Sequence, residues 1–129
     1  MTRSRTAVLT TIAVLGAVPV ASGLAGIVRG PAGAPGGAPT SASVDSEYRF
    51  VNVFWAAAGV ILWWSLRRPD ERARVTRLML ELAAVGGLPR VISWMKVGAP
   101  HPVFRATIVL EFVVVPAVLV WHSRALSSD

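Results

Sequence analysis

The chain has no cysteine, which excludes disulfides, thiolate nucleophiles and thiolate metal sites and leaves the redox compartment unreadable. Charge is scarce: 16% of the 129 residues are charged, and residues 6–28 and 50–66 contain no charge at all. A soluble helical bundle needs a polar stripe on every helix. Uncharged runs of this length instead match the roughly 17 to 25 apolar residues of a bilayer-spanning helix. Histidine occurs only at His101 and His122, and neither Gly-x-Ser-x-Gly nor His-Glu-x-x-His is present, so two common hydrolase signatures are missing.

What is abundant is apolar: 53% hydrophobic residues and a mean hydropathy of +0.57, above the balance of a soluble domain. The length allows one domain. Net charge is +6, but the arginines gather at the ends of apolar runs rather than on one soluble face, so the basicity reads as membrane anchoring and no nucleic-acid partner is expected.

In chain order, a basic start at Arg3 and Arg5 precedes the first run, at about 6–28, which carries Ala13, Ala17, Ala21 and Ala25 at every fourth position. Small residues so spaced let helices approach closely in lipid, although alanine is common throughout this composition. The rival reading of the run is a cleaved signal peptide. Against it stands the uncharged length, beyond an apolar signal core of about 7 to 15 residues. Residues 30–43 read GPAGAPGGAPTSAS, an irregular loop expected outside the hydrocarbon, where unpaired backbone groups are costly.

A second span is expected at about 48–66, with Asp45 or Ser46 as its N-cap and Trp63 and Trp64 at the far interface. RRPDER at 67–72 is a tight charged turn in which Pro69 stops one helix and Asp70 caps the next. The third span, about 74–96, is the least hydrophobic and holds Glu81, Gly86, Gly87, Pro89 and Arg90; Pro89 is expected to bend it. GAPHP at 98–102 turns the chain into a fourth span, about 103–121, in which Glu111 is the one deep charge and Pro116 a second kink candidate. A short polar tail from His122 follows.

These runs give an all-α fold, a four-helix transmembrane bundle. Arg3, Arg5, Arg67, Arg68, Arg72, Arg74, Arg77 and Arg124 fall on one side, against Arg29, Arg49, Lys96 and Arg105 on the other. The positive-inside rule then predicts cytoplasmic N and C termini in a plasma-membrane protein.

Arg90 lies ten residues before Pro100 and Glu111 eleven after it, which puts both at similar depth, roughly 12 to 15 Å below the outer boundary by helical rise. Charges at that depth pair, face a wet cavity or mark a functional path. An Arg90–Glu111 ion pair is therefore expected, with packing register alone as its bland role. The same topology brings Glu47, Arg49, Asn52, Ser93 and His101 toward the outer end. Glu81 is expected to pair locally with Arg77, one turn before it. His101, between prolines, is expected to donate hydrogen bonds to loop carbonyls or a carboxylate; with His122 on the opposite side, the two histidines form no metal site.

The run DSEYRF at 45–50, Gly86 and Gly87 with Arg90, GAPHP at 98–102, and Glu111 together resemble a bacterial family of small four-span membrane proteins, domain of unknown function 4345. The resemblance covers Val44 to about Val120 and implies a four-helix integral membrane protein with no assigned activity; no cofactor is expected.

Three functional classes follow. The first is a non-enzymatic membrane module or accessory subunit whose outer-half cluster binds an anionic lipid or small amphiphile, with the bilayer, a second copy or a larger membrane complex as partners. The second is a small proton-coupled carrier in which Glu111 titrates against Arg90. An enzyme pairing Glu111 with His101 is the weakest, because ten residues of helix separate the two by about 15 Å.

Overall fold

The computed structural model describes residues 2–127, and all regular structure among them is helical. Helix α1 spans Arg3–Arg29 and α2 Ala42–Leu66. A third long segment consists of α3 (Ala73–Val85) and α4 (Gly87–Val97), and a fourth of α5 (Pro102–Val109), a π turn (Leu110–Val114) and α6 (Val115–Ser127). These are four segments long and apolar enough to cross a bilayer. The chain is an all-helical, multi-pass membrane protein.

Side-chain exposure agrees with that solvent. Met95 and Val97 are 81% and 85% exposed, and Phe50, Phe54 and Val28 also face outward. In water such a surface would drive association; against lipid tails it costs nothing, and helices are held instead by close packing and polar contacts.

The closest packing joins α1 to α2. The face that α1 presents is not the alanine ladder, because Ala17 and Ala21 are exposed. It is Gly16, Gly23 and Gly26 with Pro19. A side chain on Gly23 would begin 2.7 Å from the backbone nitrogen of Ala56, so the bare glycine is what permits this approach. Trp63 adds a hydrogen bond from its indole nitrogen to the Ala13 carbonyl (2.8 Å), and Trp55 one to Ser22 Oγ (2.8 Å). The tryptophan pair thus has structural work beyond the interface: Trp63 ties two helices together, while Trp64 lies under the Arg72 guanidinium at 3.7 Å.

At the end where α1 begins and α6 ends, the bundle closes on four sides: α1 against α2, α1 against α6, α6 against α3 and α3 against α2. The apolar core sits in this half: Val8, Ile12, Leu62, Leu80, Val115, Val118 and Ala125. Toward the opposite, loop end the two hairpins part. There α4 packs on α5, and α5 on α4 and the π turn, while α1 keeps to α2. The Gly/Pro loop arches across this rim, and a side chain on Gly36 would begin 3.1 Å from His101 Cβ.

Several boundaries differ from expectation. Helix α2 begins at Ala42, and its N-cap is Ser41, whose Oγ accepts from Val44 N (3.3 Å); Asp45 is released to pair with Arg49. Arg72, without a side-chain cap bond, precedes α3, so Asp70 is not the cap. The expected polar tail is helical through Ser127.

Candidate functional site

Two helix irregularities build the polar site. Pro89 has no N–H to give to the Val85 carbonyl four residues earlier and its ring crowds that carbonyl, so α3 stops at Val85 and α4 restarts at Gly87. Pro116 likewise leaves Phe112 without its helical donor. The chain before it widens into a π turn in which Val115 N donates to Leu110 O, five residues back. Such turns re-aim side chains and are frequent at functional sites, and this one carries Glu111.

Across that junction Arg90 Nε donates to Glu111 Oε1 at 3.0 Å. Glu111 is buried (side chain 5% exposed) whereas Arg90 is 34% exposed. Gly87 lets the two segments meet, because a side chain there would begin 2.9 Å from the Phe112 ring and 3.2 Å from Glu111 Oε2. Arg90 also lies over the Phe104 ring at 5.7 Å, near the limit of a useful cation–π contact. The pair is single rather than bidentate. Glu111 Oε2 is buried with no hydrogen-bond partner, a state that costs on the order of 1–3 kcal/mol or more for a charged acceptor.

Among the described residues, none of the other expected residues is hydrogen-bonded or ion-paired to Arg90 or Glu111. Arg49 pairs with Asp45 (2.7 Å) and donates to the Ile27 and Val28 carbonyls (2.8 and 3.0 Å), closing the C-terminus of α1, where cations are favoured. Asn52 is buried against Gly26 and donates to the Tyr48 carbonyl (2.7 Å). Glu47 is exposed beside an open groove lined by Ser43, Val44, Tyr48 and Val51. Ser93 is exposed. His101 accepts rather than donates: its Nδ1 takes the Val103 N–H (3.2 Å) and caps α5. Glu81 is exposed, and no ion pair joins it to Arg77 among the described residues.

A second polar group at the termini end has no counterpart in the sequence reading. Arg5, only 8% exposed, reaches Asp70 in the 67–72 turn at 2.5 Å. That hydrogen bond holds the Asp70 carboxyl below the usual carboxylate range, against a smaller opposing effect of burial. Ser65 and Thr76, both fully buried, share a hydrogen bond of 2.8 Å between α2 and α3. His122 is fully buried in α6 with neither ring nitrogen partnered, and the Nε of Arg77 is buried and unpartnered as well. A helical signal could have found His122: it lies seven residues after Val115 and four after Val118, on the face that those two commit to the core.

Among the described residues no three His, Cys, Asp or Glu side chains converge as a metal site. No curated protein and no solved structure matches the chain. A family model described as a domain of unknown function, DUF4345, matches residues 8–122, so the match takes in α1 as well as the region from Val44 onward. With four spanning helices in hand and that match over most of its length, the chain belongs to the DUF4345 family.

Proposed function

We propose that this protein is a non-enzymatic membrane module of the plasma membrane, with both termini cytoplasmic, whose Arg90–Glu111 site holds the headgroup of an anionic lipid or small amphiphile. One observation carries the reading. Glu111 is buried with a carboxylate oxygen that has no partner, and Arg90, its one ion-pair partner among the described residues, is one-third exposed and bonds it through Nε alone. The outer edge of the guanidinium suits an anionic group, and Glu111 Oε2 suits a hydroxyl or amine on the same headgroup. The parted hairpins of the loop half give an amphiphile lateral access from the bilayer. Eight arginines on the termini side against four basic residues on the other support the orientation.

A proton-coupled carrier is the second reading, favoured by the paired irregularities at Gly86 and at the π turn, which supply an interrupted helix beside an intramembrane carboxylate. The test of the first reading is thermal stability of the purified protein in neutral micelles. Phosphatidylglycerol is expected to raise the melting temperature, phosphatidylcholine to leave it unchanged, and Arg90→Gln to abolish the response. A response that survives Arg90→Gln, or none to any anionic lipid, overturns it. Proteoliposome flux indifferent to Glu111→Gln removes the carrier.

A further inference from the structure

Among the described residues, the termini end holds two side chains with buried nitrogens that have no hydrogen-bond partner. His122 is fully buried and both its nitrogens lack partners, while Arg77 has its Nε buried and unpartnered. Buried polar groups are almost always satisfied, and a guanidinium cannot shed its proton to escape the requirement. The charges that bear on His122 are those of Arg77 first and Arg5 second, so the surroundings are positive.

Among the described residues, the acidic groups of α3 and of the turn before it are committed or exposed. Asp70 is held by Arg5 and Glu71 by Arg68 (3.1 Å), and Glu81, on the helix of Arg77, is exposed and outside any ion pair among the described residues. Among the described residues, the pair has no hydrogen-bond acceptor carrying negative charge.

We propose that Arg77 and His122 form a second anion site, at the termini end of the bundle, that takes a phosphate group. Arg77 is half-buried on α3 and receives the group from the headgroup region; His122 is the interior donor behind it, fixed by α6 packing on α1 and α3. The neighbouring residue is also tied down, because the Trp121 indole nitrogen donates to Ser4 Oγ at 2.8 Å. Arg5 borders the site and adds positive potential without giving up Asp70. Planar guanidinium donors match phosphate oxygens, and both a lipid headgroup at this membrane face and free phosphate present them. This site is separate from Arg90–Glu111 and stands or falls independently of it.

The chain has only two histidines, which makes His122 its own reporter. Protein labelled with 15N-histidine and carrying His101→Gln, an exposed loop change, gives ring signals from His122 alone in neutral micelles. Inorganic phosphate and phosphatidylglycerol are added separately, with chloride at matched ionic strength as control. The expected result is a saturable shift of the His122 signals with at least one of them. A response to phosphate alone identifies the free ion, and one to the lipid identifies a headgroup. Arg77→Gln is expected to raise the half-saturation concentration about tenfold or more, and Arg90→Gln to leave it unchanged. Signals that move with neither addition, as for a histidine satisfied by trapped water, overturn the proposal. So does an Arg77→Gln titration that matches the parent.

Discussion

Arg90 Nε and Glu111 Oε1, 3.0 Å apart, join the two places where the long helices are irregular. Arg90 lies in the first turn of α4, the helix that restarts at Gly87 after the break Pro89 imposes, and Glu111 sits in the π turn ahead of Pro116. The bond therefore fixes how the α4–α5 half is set on the core beneath it, whatever else it does.

Removing one partner should hurt more than removing both. Arg90→Leu strands Glu111 in apolar surroundings and is expected to cost about 3 kcal/mol, while Arg90→Leu with Glu111→Leu recovers most of that loss. Glu111→Leu alone should be milder, because Arg90 is one-third exposed and can reach toward the interface. Unfolding in mixed micelles measures all three; a double variant no better than Arg90→Leu contradicts the pairing.

The glycine face of α1 makes a sharper packing prediction. Gly23→Val should part α1 from α2 and destabilise by about 1–3 kcal/mol, as overpacking does. Ala21→Val, two residues away on the exposed face, should stay within about 0.5 kcal/mol of the parent. Equal effects from the two would mean that α2 does not lie on the glycines.

Ser65 and Thr76 offer a test of polar attraction inside the bundle. Ser65→Ala, Thr76→Val and their combination should give a coupling energy of about 0.6 kcal/mol, the usual scale for such bonds in membranes. Additive losses would show that the 2.8 Å bond contributes nothing.

Asp70 sets a pH dependence. Its carboxyl is held below the usual range by Arg5 when folded, so the unfolded chain binds the proton more readily and the bond stabilises the fold above the unfolded value, about 3.9. That contribution is lost as pH falls from there through the lower folded value. Asp70→Asn should flatten the stability profile in this window only. Because Asp70 is 67% exposed, added salt should weaken the effect. An unchanged profile would mean the Arg5 contact is not made.

The sequence made the spans legible because a charge-free run of bilayer length has few other uses, and Arg90 with Glu111 because opposite charges equidistant from one turn meet in any helical hairpin. The contact face of α1 was hidden, since its alanines repeat at a tempting period while the glycines that pack, Gly16, Gly23 and Gly26, are spaced by seven and then three. Asp70 was a plausible cap until folding brought Arg5, far away in the chain, against it. Arg49 and His101 looked like members of one outer cluster, yet each closes a helix end, a local role that shared depth does not reveal. A span that ends at Trp121 leaves His122 in the tail, and only the continued helix to Ser127 places it in the interior.

If an amphiphile occupies the parted loop half, it must lie against Arg90 and Glu111. The most direct measurement is an experimental structure in nanodiscs containing phosphatidylglycerol. The account predicts elongated non-protein density between the hairpins, with its polar end at the Arg90 guanidinium and Glu111 Oε2. A closed, dry contact, with α4 and α5 packed against α1 and α2 and no density beside the pair, would contradict it.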